Sequence, residues 1–160
     1  MKKDIHNNFI KNGSLCIKEL KVIKFNGDKE KIDEFLNGQI TSDHKQLTNN
    51  AAQLSSICNH KGQVIADFIV NKSNEEYRLV INDTLKATLI NELNPFIKLH
   101  RLEIEETNNI VIGNISTKGD LEYPFCSNKY IEVSISVESH DFKYKNSISI
   151  ENWHAANKIL

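Results

Sequence analysis

The sequence predicts an α+β protein. Its first part reads as a split β-α-β unit of the ferredoxin-like type, an antiparallel or mixed sheet with two main helices on one face, followed by a short, incomplete second unit. Three observations predict it. Two segments, near residues 28 to 38 and 84 to 94, space their apolar side chains as one face of a helix. Around them lie short runs that are β-branched or alternate apolar with polar, as strands do. Turn signals at Asn26-Gly27, Lys61-Gly62 and Asn71 to Glu76 punctuate the runs.

Residues 1–13 are polar and close with Asn12-Gly13, so they read as a loose lead-in from which Ile5, Phe9 and Ile10 dock on the body. Leu20 and Val22, with Phe25 beyond them, alternate with Lys21 and Lys24 and predict a strand that ends in the Asn26-Gly27 turn. Asp28 can accept from the free N–H groups of a first helical turn, and Ile32, Phe35, Leu36 and Ile40 form the apolar stripe of the helix it starts. Asn37-Gly38 predicts its stop. After the polar loop Thr41 to Asn50, Leu54 to Cys58 reads as a strand turning at Lys61-Gly62. Val64 to Val70 is too short for a full helix and rich in β-branched residues, which predicts a strand covered on both faces. Tyr77 to Ile81 is the next strand. Asp83 or Thr84 is placed to cap a helix carrying Leu85, Leu89, Ile90 and Leu93, which Pro95 is expected to interrupt because it lacks an N–H to donate. Arg101 to Glu105 alternates as a strand, Ile110 to Ile115 begins another, and Ile131, Val133, Ile135 and Val137 alternate with polar residues in a half-buried pattern. Glu151 onward opens a helix at Trp153. The organisation expected is a lead-in of residues 1–13, a first unit of residues 14–108 and a partial second unit of residues 109–160.

Composition narrows the function. The chain has 160 residues, 39% of them apolar, with 20 basic and 21 acidic side chains and a net charge of −1. That balance supplies no long-range field for phosphate backbones, so strong direct nucleic-acid binding is not expected, although a small region of a folded RNA stays open as a partner. The longest apolar runs are far shorter than the roughly 20 residues of a membrane span. Lys2 and Lys3 are followed by Asp4, His6, Asn7 and Asn8 where a signal peptide needs an apolar stretch, which leads us to expect a cytoplasmic protein without a membrane partner. Cys16, Cys58 and Cys126 are odd in number and widely spaced, which fits reduced thiols and neither a disulfide framework nor a zinc knuckle.

Two residues stand out chemically. Asp67 is an acid inside an apolar strand, where an ionised carboxylate needs a partner, solvent or a ligand. It lies either on a pleat face that reaches water or toward a ligand, where it could accept the amidine-like N–H edge of a pterin. Trp153, the only tryptophan, suits a core or can stack on a flat heterocycle. Cys58-Asn59-His60 offers metal-capable side chains without a second pair at zinc spacing, so no metal site is expected. No nucleophile elbow, P-loop or dinucleotide fingerprint occurs, and no catalytic constellation is seen.

Four pieces carry a family resemblance: Phe35-Leu36-Asn37-Gly38-Gln39-Ile40-Thr41-Ser42-Asp43, Lys61-Gly62-Gln63-Val64-Ile65-Ala66-Asp67-Phe68, the helix with Leu93-Asn94-Pro95-Phe96, and Trp153 before an incipient helix. The phrase F-L-x-G-Q-x-T-x-D, followed by K-G-x-x-x-A-D, resembles the N-terminal part of the YgfZ branch of the folate-binding superfamily, which also holds the aminomethyltransferase of the glycine cleavage system. The resemblance spans roughly residues 14 to 108. It implies a tetrahydrofolate-binding protein that supports iron–sulfur cluster assembly or repair in client enzymes, including one that modifies tRNA. It implies Asp67 and Trp153 as folate-binding residues on one central cavity, with Gln39 at its rim. The aminomethyltransferases have two adjacent acids where this chain has Ala66-Asp67, so the resemblance favours the YgfZ branch over a transferase. The alternatives are a remnant of a tetrahydrofolate-dependent one-carbon transfer enzyme and a non-binding interaction module. Leu20 stands where the branch carries a second tryptophan, and the K-G-C-Y-T-G-Q-E signature and β-barrel domain of the family are not found. The expectation is therefore the N-terminal portion of a longer protein or a truncated copy, poorly stable because its last helix is cut short.

Overall fold

A computed structural model describes residues 13–49, 51–115, 121–122 and 129–134. The chain forms β1 (Gly13–Cys16), β2 (Leu20–Asn26), α1 (Lys29–Gln39), β3 (Ala51–Cys58), β4 (Val64–Ser73), β5 (Glu76–Asn82), α2 (Asp83–His100), β6 (Glu103–Glu106), β7 (Ile110–Ile115), β8 (Leu121–Glu122) and β9 (Lys129–Ser134). A three-residue 3-10 turn, His44–Gln46, lies between α1 and β3. Two compact units divide these elements, one of Glu19–Asn108 and one joining the described residues before Glu19 to those after Asn108.

In the Glu19–Asn108 unit the strands run β3-β4-β5-β2-β6, each pair antiparallel. β5, α2 and β6 form the split β-α-β element: β5 and β6 are parallel to each other with β2 inserted between them. α1 leads into β3, an edge strand that hairpins onto β4. The fold is α+β as the sequence predicts, and both helices pack on one face. Phe35, Leu36, Leu89, Leu93 and Ile97 share a buried cluster with Ile23, Phe25, Ala66, Phe68, Val70, Leu79 and Ile81. The other face also buries apolar side chains, Val22, Ile69 and Val80.

Local chemistry explains the element ends. The Asp28 carboxylate accepts from the N–H groups of Glu30 (3.1 Å) and Lys31 (3.2 Å), as an N-cap should. The turn before it needs glycine: Gly27 has φ +148°, and a Cβ there would lie 2.5 Å from Leu102 Cδ2. Asn74 and Glu75, with φ 51° and 63°, make the two-residue turn of the β4–β5 hairpin.

Four local expectations are corrected. Gly38 does not stop α1; the helix runs on to Gln39 and ends at extended Ile40, whose N–H bonds the Leu36 carbonyl at 3.1 Å. The cap of α2 is Asn82, whose side chain accepts from the Thr84 N–H at 3.0 Å, and Asp83 is already helical. Pro95 does not interrupt α2, which continues to His100. Its missing N–H leaves only the carbonyl of exposed Asn91 without a helical partner, where water can serve, while Leu93 and Ile97 on the opposite side keep the helix seated. The stop comes at Arg101, in the left-handed conformation at φ 57°, with the Leu102 N–H bonded to the Ile97 carbonyl at 2.9 Å. Finally, β4 is covered on both faces only over Phe68–Asn71, whereas Val64 and Asp67 are exposed.

The second unit holds the antiparallel sheet β1-β7-β9-β8. β1, too short for a periodic signal, pairs Cys16 with Ile112 and Gly13 with Ile115. The Ser14 hydroxyl donates to Asn114 Oδ1, and Leu15, Ile17, Val111, Ile112 and Ile115 are buried. β9 holds the first part of the alternation predicted from Ile131; Ile135, Val137 and Trp153 lie outside the described residues. Among the described residues no helix is long and apolar enough to cross a bilayer.

Candidate functional site

The hairpin of β3 and β4 sets Asp67 on an open surface. Alternation sends Ala66, Phe68 and Val70 to the helices, so Asp67 occupies the opposite face with Ile69. Its Cα partner on β3 is Ser56. Both main-chain groups of Ser56 point away from β4: its N–H donates to Thr41 Oγ1 at 3.1 Å and its carbonyl accepts the Thr41 N–H at 3.0 Å. Ser56 and Asp67 are therefore a non-hydrogen-bonded pair, with side chains close together on the same face.

The same parity turns the Asp67 N–H and C=O toward β5. There the β4–β5 ladder stops at Ile69 and Val80, while β5 runs on to Asn82 and into α2. The strands part at Asp67. Its two main-chain groups have no ladder partner, and its exposed carboxylate makes no hydrogen bond or ion pair among the described residues. Leu54, 41% exposed and paired with Ile69, lies on the same face, whereas half-buried Ile65, at the bulge of the hairpin, packs on the helix-side cluster. The arrangement offers three hydrogen-bonding groups beside an apolar surface, which suits a flat ligand with a polar, N–H-bearing edge.

The other sequence candidates fall elsewhere. Gln39 is the last, half-buried residue of α1, with no side-chain partner among the described residues, and α1 packs on the face opposite to Asp67. No hydrogen bond joins Gln39 to Asp67. Cys58 and His60 are exposed near the hairpin tip, where Asn59 Oδ1 accepts from the N–H groups of Lys61 (2.9 Å) and Gln63 (3.0 Å).

Sequence reasoning missed a buried polar cluster beside this hairpin. His44, fully buried, places Nε2 3.2 Å from Asp33 Oδ1, and its ring meets Tyr77 edge-on at 5.2 Å between centroids. Lys72 Nζ sits 5.5 Å from the Tyr77 ring centroid and pairs with Glu75 at 3.2 Å, as Lys29 does from α1. Because Asp33 and His44 lie on different elements, no short spacing in the sequence could reveal the pair. Tyr77 is pushed up to about 12 by burial first, then by the charge and hydrogen bonding of Asp33 and the charge of Glu75. Its neutral form is the one the fold favours, so this contribution to stability is complete below the ordinary phenol range and is lost as pH rises through about 12. In an ultraviolet alkaline titration of the four tyrosines, the phenol lost in Tyr77→Phe should be one that ionises late. Asp33→Asn should bring it down; an unchanged late phenol in that variant would mean Asp33 does not act on it.

Comparison with known proteins places the chain among relatives. No family model matches. An aminomethyltransferase of Staphylococcus carnosus is 27% identical over 118 residues, 73% of this chain and 32% of that protein. The tRNA-modifying protein YgfZ of Vibrio atlanticus is 29% identical over 94 residues, 59% of this chain and 28% of that protein. Among solved structures, the glycine cleavage system aminomethyltransferase T from Bartonella henselae superposes with a TM-score of 0.58 at 19% identity, over 68% of this chain and 30% of that one. The chain spans about a third of the length of the curated relatives it matches. Over this partial region it is related to the superfamily of the aminomethyltransferases and YgfZ proteins.

Proposed function

We propose, starting from that partial relationship, that the chain binds a reduced folate on the open face around Asp67 and acts in the manner of the YgfZ branch. In this reading it supports iron–sulfur cluster assembly or repair in client enzymes, among them one that modifies tRNA, in the cytoplasm. The observation that carries the proposal is the state of Asp67: exposed, unpartnered among the described residues, with main-chain N–H and C=O also out of the ladder. The donor set fits a pterin. The carboxylate can accept its N–H groups, the main-chain pair adds a donor and an acceptor, and Leu54 gives the ring an apolar surface.

A transferase role has less support from the residues. Ala66, where the aminomethyltransferases carry a second acid, is buried against the helices, so that position supplies no second carboxylate beside Asp67 for acid–base work. The test is calorimetric titration of the chain with tetrahydrofolate. Saturable binding is expected with a dissociation constant of about 1 mM. Absence of heat at several times that concentration would defeat the proposal, and turnover in a methylene-transfer assay would favour the transferase reading instead.

A further inference from the structure

We propose that His44 is a positioning residue: it latches the loop after α1 onto the edge of β3 and so holds the hairpin that presents Asp67. The inference deepens the proposed function and rests on its reading of the Asp67 face.

The loop is held at two places. At its start, Thr41 and Ser42 staple the outer edge of β3. Thr41 exchanges main-chain and side-chain bonds with Ser56, its Oγ1 lying 3.0 Å from Ser56 Oγ, and the Ser42 N–H donates to Ser55 Oγ at 3.2 Å. Gln53 Nε2 adds a bond of 2.8 Å to Ser42 Oγ. Further along, the 3-10 turn is fixed to the body by a single buried side chain, since Lys45 and Gln46 are exposed and only His44 is buried. Asp43 closes the turn on itself, accepting from the Lys45 N–H and Gln46 Nε2, and among the described residues it tethers the turn to nothing else. Leu47 then buries its side chain where the loop heads for β3.

His44 therefore joins three elements: the turn it sits on, α1 through Asp33, and β5 through the edge-on contact with Tyr77. Its Nδ1 is buried without a partner among the described residues, so the bond to Asp33 is the one polar interaction among them that offsets burying the imidazole. A histidine retained at that cost is spent on placement of the loop. What the loop places is Ser56. With its main chain and hydroxyl engaged by Thr41, Ser56 is fixed directly across from Asp67, on an edge that β3 would otherwise leave unpaired.

The test uses amide hydrogen exchange together with tetrahydrofolate titration on the whole chain. His44→Leu keeps the site apolar and filled but removes the donor; Asp33→Ala removes the acceptor from a partly exposed position and guards against misfolding of the first variant. Both should speed exchange at Thr41, Ser42 and Ser56 by about tenfold, with Leu79 and Ile81 unchanged, and weaken tetrahydrofolate binding by about tenfold. His44→Gln, which retains an N–H able to reach Asp33, should restore both. Unchanged exchange at the three loop-edge amides, or equal acceleration everywhere, would overturn the latch. Faster local exchange with unaltered folate affinity would overturn the positioning role. A wild-type chain that binds no tetrahydrofolate would sink the functional reading and the positioning role with it, while the exchange arm would still decide whether His44 holds the loop.

Discussion

Replacing Phe35 with alanine is expected to lower the unfolding free energy by about 3 to 5 kcal/mol. Phe35 is fully buried, and its ring stands edge-on to Phe25 at 5.1 Å and to His100 at 6.0 Å between centroids. It therefore joins α1, β2 and the end of α2 at one point. Truncation removes the transfer free energy of the ring and leaves a cavity that three elements would have to move together to fill, which is the condition for the upper part of the range. Urea denaturation should show a lower midpoint with an unchanged slope. A loss under about 1 kcal/mol would mean that the helices do not rest on the sheet as described.

Phe35 was also legible in the sequence, and the reason shows where legibility ends. The stripe Ile32, Phe35, Leu36 and Ile40, and the equivalent Leu89 and Leu93, repeat at short range, so period alone assigns them to a face. Caps and turns are local as well, although neighbouring candidates compete: Asn82 caps α2 where Asp83 and Thr84 are equally good side chains. Pro95 stays inside α2, against the expectation from its missing N–H, because a lost backbone bond on the solvent side costs less than Leu93 and Ile97 gain by burial. Strand order, and the pairing of Gly13–Cys16 with Ile110–Ile115, depend on contacts far apart in the chain, to which periodicity is blind. Asp67 could be singled out by its apolar setting, but its exposure follows from β4 and β5 parting at Ile69 and Val80, a tertiary fact. The His44–Asp33 pair leaves no pattern at all.

Asp67→Asn is expected to weaken tetrahydrofolate binding by roughly ten- to a hundredfold while leaving stability nearly untouched. The first half follows from charge: hydrogen bonds to an ionised acceptor are worth about 1.5 to 3 kcal/mol, and asparagine keeps the shape while presenting an NH2 in place of one acceptor oxygen. A ligand edge that donates two N–H groups would meet one acceptor and one clashing donor. The second half follows from the site. Asp67 is exposed and anchors nothing among the described residues, and a surface change of this kind usually moves stability by less than about 0.5 kcal/mol. The two halves together separate a binding residue from a structural one, because a structural acid would lower the denaturation midpoint and a bystander would change neither quantity. Tetrahydrofolate titration and urea denaturation of the same preparations read both. Wild-type affinity retained in Asp67→Asn would remove the acid from the site, and lost affinity accompanied by a lowered midpoint would make Asp67 a residue of the fold.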